Sequence, residues 1–442
     1  MANVIKLHKG LNINVAGKAA PEVKAVKDSA IIGIVPDAFT GVKPLVKVKE
    51  GTMVKAGDAL FVDKLHPEVV FASPVSGKVV TVERGDRRKV LSIQVEADEE
   101  QQYVDFGQGI PASKDEVKQA LLKSGLFAFF IQRPYAVTCN PDDDPKAIFV
   151  SGFSDMPLAA DFEVVYKGQE RDFQTGIDAL GKLAKVYLGI KPTSALRNVK
   201  NAEITVFEGK CPAGNVGVQI NHISPVNKGE VVWTIGAEEV IFIGRLFNTG
   251  KLNLTRTIAV AGPEVKDPCY VQVVVGAKIG KVVAEKVNDN AVIIDGNPLT
   301  GREVTVDDFL GAHTTEVTAI ANGSEADEAF GWILPRFNQF SVSRSYFSWL
   351  QGNKAFKFDN RIKGGHRHMI MSGEYDKVFP MDIFPEQLVK AIIAGDIDRM
   401  EALGIYEVAP EDFALCEFVD SSKVEVQRVV REGLDMLRKE NS

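Results

Sequence analysis

Cysteine is scarce in this chain. There are four in 442 residues, Cys139, Cys211, Cys269 and Cys416, and no C-x-x-C pair. Such scatter excludes a disulfide framework, and it excludes zinc and iron–sulfur centres, which need several thiolates at close spacing. The four read as isolated buried thiols. No apolar run approaches the roughly 18 residues of a membrane-crossing helix, the longest being Leu126 to Ile131 and Tyr270 to Ala277. Clustered positive charge is missing too: no basic run exceeds Arg87-Arg88-Lys89, and 52 Lys and Arg face 59 Asp and Glu. Nucleic acid is therefore not an expected partner. Met1 to Gly10 lacks the apolar core and cleavage site of a secretory leader, so the cytoplasmic side is expected. No G-x-G-x-x-G follows a strand-like segment. The nearest run, Gly214-Asn215-Val216-Gly217, comes after Pro212 without an evident strand-to-helix setting. His66, His222, His313, His366 and His368 are too dispersed for a ligand set, and Asp142-Asp143-Asp144 reads as a solvated acidic loop.

What is present begins with two short alternating runs between Val46 and Val95, punctuated by Gly51, Gly57 and Gly77. The pattern G-x-x-V-x-x-G-x-x-L followed by S-P-x-x-G-x-V is carried by Gly51, Val54, Gly57, Leu60, Ser73, Pro74, Gly77 and Val79. It resembles the barrel-sandwich hybrid of biotinyl and lipoyl carrier domains. A carrier presents its modified lysine on the hairpin, and Lys64 is the only lysine there. Leu65-His66-Pro67-Glu68 lengthens that arm and puts proline where a ladder donor belongs. Lys64 is read as a surface lysine on a domain that kept the fold without the cargo, with a free carrier modified at Lys64 as the alternative.

Lys114 to Lys123 is an amphipathic helix with Ser113 as N-cap, Glu116 completing a capping box and Gly125 as its stop. An aromatic cluster, Leu126 to Tyr135, follows. Segments at Ala147–Val150, Val186–Ile190 and Ile204–Phe207 read as strands, with helices at Phe173–Leu183 and about 237–247, which predicts a parallel sheet covered by helices. From Thr257 to about Ala319 the pattern resembles the SLBB version of the β-grasp. The stretch Phe337 to Phe358 interleaves aromatics with Arg344, Lys354 and Lys357. Phe384 to Gly395, Ile397 to Leu403 and Val424 to Lys439 have helical apolar spacing. The expected architecture is thus multidomain, α+β and α/β: a barrel-sandwich hybrid over 1–100, a Rossmann-like α/β domain over 101–256, an SLBB β-grasp over 257–325 and a C-terminal helical domain over 326–442.

That order resembles, over essentially the whole chain, the NqrA family of the Na⁺-translocating NADH:quinone reductase complex. The residues carrying the resemblance include I-K-L-H-K-G-L-N-I-N-V-A-G at Ile5 to Gly17, K-S-G-L-F at Lys123 to Phe127, Arg133-Pro134 and K-A-I-F-V at Lys146 to Val150. They continue with Pro212 to Gly214, F-G-W at Phe330 to Trp332, F-S-V-S-R-S at Phe340 to Ser345 and D-F-A-L-C-E-F-V at Asp412 to Val419. The resemblance implies a peripheral, cytoplasmic-side subunit of a hetero-oligomeric membrane complex that oxidises NADH, reduces ubiquinone and exports sodium. More distant flavin-binding relatives hold FMN on a glycine-rich loop near Ser124 to Tyr135, where this chain is bulky. Their cubane cysteines are reduced here to Cys416. No cofactor or metal is therefore expected in this chain; FMN, FAD and Fe–S belong to partner subunits, and the isolated chain is not expected to be catalytic. Phe127, Phe129, Phe130, Arg133 and Tyr135 are candidates for quinone binding, or simply core where two domains meet. Arg344, Trp349 and Lys354 are candidates for partner docking, or a strand and helix of the last domain.

Overall fold

The computed structural model describes residues 3–26, 29–324 and 333–441. The F-G-W run at 330–332 and the expected domain division at 325 lie outside them. The barrel-sandwich is two small sheets face to face. One holds Ile31–Ile34, Val90–Ala97, Gly77–Arg84 and Met53–Val54, and the other holds Pro44–Val46, Ala59–Asp63 and Val70–Ala72. Leu60, Phe61, Phe71 and Val79 are buried in the core, Ala59–Asp63 being an apolar strand buried on both faces. Lys64 opens the loop after Ala59–Asp63. Its side chain is exposed, and its backbone N–H donates to the Lys43 carbonyl.

Residues ahead of Ile31 are shared among other domains. Asn3–Lys6 pairs in parallel with Glu203–Glu208 as the edge of the α/β sheet, and Val23–Lys24 pairs in parallel with Cys269–Val274 of the β-grasp. The chain's first segment therefore ties the second and third domains together.

The α/β domain is a seven-stranded sheet. Asn3–Lys6, Glu203–Glu208, Val186–Ile190, Ile148–Ser151 and Val232–Gly236 run parallel, and Ile131–Arg133 and Val137–Thr138 complete it antiparallel. Ile148–Ser151 is the first of the doubly wound strands and lies at the centre. The chain moves outward on one side to Val186–Ile190 and Glu203–Glu208, then crosses back to Val232–Gly236 on the other. Helices Glu170–Leu183 and Ala237–Thr249 cover one face, touching through Gly176 and Gly244. A Cβ at Gly176 would fall on the Val240 carbonyl, and one at Gly244 on the Asp172 carbonyl. Helix Lys114–Ser124 has the expected capping box of Ser113 and Glu116 and ends at left-handed Gly125.

The β-grasp sheet starts at Thr255, slightly before the expected 257. It contains Thr255–Ala261, Cys269–Val274, Ala291–Asp295, Arg302–Val304 and Glu316–Ala321. Helices Pro385–Ala394, Ile397–Ala402, Ala414–Val419 and Val426–Glu440 form the C-terminal bundle, with Pro385 in the first turn and left-handed Gly395 at the stop. Leu388, Cys416 and Leu434 of the bundle pack on Phe149, Phe207 and Val218 across the second face of the α/β sheet. Between Phe337 and Phe358 the strand and helix weighed as the alternative to partner docking do not form; the segment holds one 3₁₀ turn, Phe347–Leu350, in otherwise irregular chain. Its serines bond to one another and to local backbone, which stands in for a ladder.

Gly244→Ala adds a good helix former yet drives a methyl into a neighbouring helix. Overpacking of this kind costs about 1–3 kcal/mol. Chemical denaturation of the variant should show that loss, and an unchanged midpoint would contradict the close approach.

Candidate functional site

In a doubly wound sheet, ligands sit beyond the carboxyl ends of the strands where the winding reverses. Here that point lies between Ile148–Ser151 and Val232–Gly236. A cavity of about 340 Å³ occupies it, walled by Ile131, Phe153, Phe162, Val165 and Ile235, with Arg133, Ser151 and Thr234 among its polar groups. It shares Asn215, His313, Thr315 and Glu411 with a more polar cavity of about 600 Å³ that reaches the β-grasp and barrel-sandwich domains.

Two helix N-termini face this cleft, and both have carboxylates beside them. At Ala237–Thr249 the Glu239 side chain folds back over its own N-cap, so that a Cβ at Gly236 would collide with it. Glu239 is paired with Arg256 of the β-grasp. Glu238 accepts from the Thr257 N–H at 2.7 Å and lies 3.1 Å from the Arg256 guanidinium; all three charged side chains are buried. At Val216–Ile223 the carboxylate comes from the C-terminal domain. Asp412 stands where a Gly217 Cβ would go, accepts from Asn215 Nδ2 at 3.2 Å and from the Ala409 N–H at 2.9 Å. Arg133, 1% exposed, donates to Glu411 at 2.8 Å beside it.

Burial pushes the Glu238 carboxyl up to about 7, against the pull of Arg256. Burial also raises Asp412, with Glu411 adding to the rise and Arg133 opposing it. His313 is pulled below its ordinary value by burial. The fold family of flavin and dinucleotide carriers places phosphate at such helix N-termini, and these residues do not fit it. The positive ends of both dipoles are already answered by side-chain carboxyls. The run Gly214 to Gly217, expected to lack a strand-to-helix setting, in fact follows the strand Glu203–Glu208 and enters the helix Val216–Ile223. The sequence concealed that setting behind Pro212, which follows a cis peptide bond.

The five quinone candidates part company. Phe127 and Phe130 stack on each other at 5.5 Å and pack edge-on against Trp233 in the core, where neither lines the cavity. Phe129 faces the barrel-sandwich, edge-on to Phe39 and His313. Tyr135 leans on the last helix, its carbonyl accepting from Arg431 at 2.7 Å. Arg133 alone of the five lines the cavity. Gly125 abuts Ala72 of the barrel-sandwich, so that domain covers this turn. Of the docking candidates, Trp349 is 53% exposed with Arg344 over its ring at 5.5 Å, and Lys354 donates to Asn338 at 3.0 Å. All four cysteines are buried and free, as read from their spacing. The histidines and aspartates are less scattered than the sequence suggested, because the lengthened hairpin brings His66 and Glu68 within 4.8 Å of Asp142. Glu68 and Asp142 are exposed and His66 half-buried, on two loops, and they do not form the closed set of a structural metal site.

The succession of barrel-sandwich, doubly wound domain with a carboxylate-guarded cleft, β-grasp and helical bundle defines a class of multidomain chain with mixed α/β and α+β parts. Family models agree domain by domain: the NqrA N-terminal barrel-sandwich hybrid domain matches residues 5–98, the NqrA second alpha/beta domain 112–252 and the NQRA C-terminal domain 257–306. The chain belongs to the NqrA family, one of the subunits of the Na⁺-translocating NADH-quinone reductase. It is 37% identical to NqrA of Neisseria meningitidis serogroup B over 450 residues, covering 99% of this chain and all of the relative. NqrA of Haemophilus influenzae is 36% identical over 455 residues, again across 99% of this chain and all of its own. Matches over the full length to reductase subunits leave nothing to favour a free carrier modified at Lys64.

A carboxyl whose value rises on folding keeps a proton that the unfolded chain has released, so stability falls as pH rises from about 4.5 to about 7. Glu238→Gln removes its share, roughly 3 kcal/mol at most. Thermal midpoints from pH 5 to pH 7.5 should fall less steeply in that variant. Equal slopes would contradict the burial of an ionisable Glu238.

Proposed function

We propose that this chain is a peripheral subunit of a Na⁺-translocating NADH:ubiquinone reductase, on the cytoplasmic face of the membrane, and that it supports quinone binding and assembly. NADH oxidation, flavin and iron–sulfur chemistry and the sodium pathway fall to partner subunits. Full-length similarity to NqrA chains supports the membership. Among the described residues no helix is long and apolar enough to cross a membrane, which suits a chain held through its neighbours.

The observation that carries the quinone reading is the switch-point cavity. Its apolar walls match a planar ring, and its volume falls in the usual range for small ligands. Carboxyls at both helix ends disfavour phosphorylated ligands and leave neutral ones. Arg133 donates from the wall, and Glu238, near half-protonated at pH 7, can donate a hydrogen bond to a quinone carbonyl. Arg133 is thus retained from the aromatic candidates, with Phe153, Phe162 and Ile235 as the ring's neighbours. Arg344, Trp349 and Lys354 lie on the face that this reading turns toward the membrane part of the complex.

A photoreactive quinone applied to the assembled complex should label peptides spanning 131–133, 153–165 or 234–238, and excess ubiquinone should suppress the label several-fold. Label confined to other subunits would refute the quinone role and leave the assembly role standing.

A further inference from the structure

Exposed apolar side chains are not spread evenly over this molecule. Of the 21 large ones among the described residues, 10 fall between Ile333 and Met371. Phe337, Phe347, Trp349, Leu350, Ile362 and Ile370 are each at least 43% exposed, where a soluble surface would carry isolated ones. The same segment is basic. It holds seven of the chain's 52 Lys and Arg and one of its 59 Asp and Glu, within a chain of net charge -7. The acidic residues Glu325, Asp327 and Glu328 just upstream lie outside the described residues. The single acid within the segment, Asp359, is engaged locally by Arg361 at 2.7 Å and Lys363 at 3.5 Å.

The segment has an anchored side and an open one. Phe356 bridges to Val15, Asp359 bridges to Ala321, and Phe340 packs against Phe418 of the bundle. Outward, Phe337 stacks on Phe347 at 5.4 Å, the Arg344 guanidinium lies over Trp349, and Lys354 reaches the Phe337 carbonyl at 3.4 Å. Val342, Tyr346, Ile362 and Lys363 line one shallow cavity of about 860 Å³, which joins the two ends of the segment on the same side. Cations therefore stand beside exposed rings and aliphatics throughout.

We infer that this face rests on an anionic phospholipid surface, its aromatics at the headgroup level and its Lys and Arg on the phosphates. The inference rests on the reading of the chain as peripheral to a membrane complex, and it names what that face meets. Trp with adjacent Arg or Lys is the composition of a membrane interface. A protein partner is the poorer match for two reasons. Protein interface cores are depleted in lysine, and cytoplasmic loops of membrane proteins carry an excess of Lys and Arg that would repel this face. Anionic headgroups attract it, although the chain as a whole is acidic.

Flotation of the purified full chain with vesicles tests this. Binding to phosphatidylcholine–phosphatidylglycerol vesicles should exceed binding to phosphatidylcholine alone by about tenfold at 0.1 M salt and should be largely lost at 0.5 M. Lys354→Glu with Lys357→Glu and Lys363→Glu should abolish the preference for anionic lipid. Trp349→Ser with Leu350→Ser should weaken binding at both salt concentrations, with unchanged thermal midpoints showing that these surface variants fold. No flotation with anionic vesicles, equal flotation with both lipids, or indifference to both variants would each overturn the inference. So would binding seen only when vesicles contain the membrane subunits, which would make the face a protein interface. Should flotation fail while the chain still co-purifies with the complex in detergent, the lipid inference alone falls. A chain that floats yet co-purifies with no reductase subunits in detergent would count against the reading as part of a reductase instead.

Discussion

A side-chain carboxyl already stands at both helix N-termini that look into the switch-point cleft, and the arrangement of the domains follows from where each comes. Glu239 is local, but the arginine that holds it, Arg256, belongs to the first strand of the β-grasp. Asp412 belongs to the C-terminal domain and reaches across to Asn215 and Gly217. A nucleotide-binding cleft needs those dipole ends free for phosphate. Here they serve as seams, one joining the second domain to the third and the other joining it to the fourth. The cleft between them has a volume of about 340 Å³ and apolar walls.

Sheet edges reinforce the same seams. Asn3–Lys6 closes the edge of the α/β sheet and Val23–Lys24 that of the β-grasp, so the leading segment crosses between domains before the barrel-sandwich begins. The barrel-sandwich covers Gly125 with Ala72 and sets Phe39 against Phe129. The carrier-like domain therefore covers part of the α/β domain, with Lys64 exposed at the start of a hairpin loop whose His66 and Glu68 meet Asp142. The switch-point cleft, shared with the β-grasp, and the basic, aromatic segment after Ile333 lie outside what that domain covers.

Local chemistry was legible in the sequence, and pairing at a distance was not. The capping box at Ser113 and Glu116, the stops at Gly125 and Gly395 and the strand Val186–Ile190 are set by neighbours in the chain, and each appears where expected. The partner of Asn3–Lys6 lies some two hundred residues away, and nothing in four residues names it. Phe127 and Phe130 carry the right chemistry for a ligand wall, but Trp233 on a neighbouring strand draws both rings into the core. Glu238 and Glu239 occupy a helix's first turn, where acids are ordinary. Only the fold reveals that Arg256 buries them. His66 and Asp142 met because a hairpin was longer than its pattern required.

The central claim is that side-chain carboxyls have taken the phosphate positions of an inherited cleft. Fluorescence titration of FMN with the purified full chain, at pH 7 and low salt, addresses it most directly. The account predicts no saturable quenching at micromolar protein. Stoichiometric quenching, lost on filling the cleft with Thr234→Trp, would contradict it.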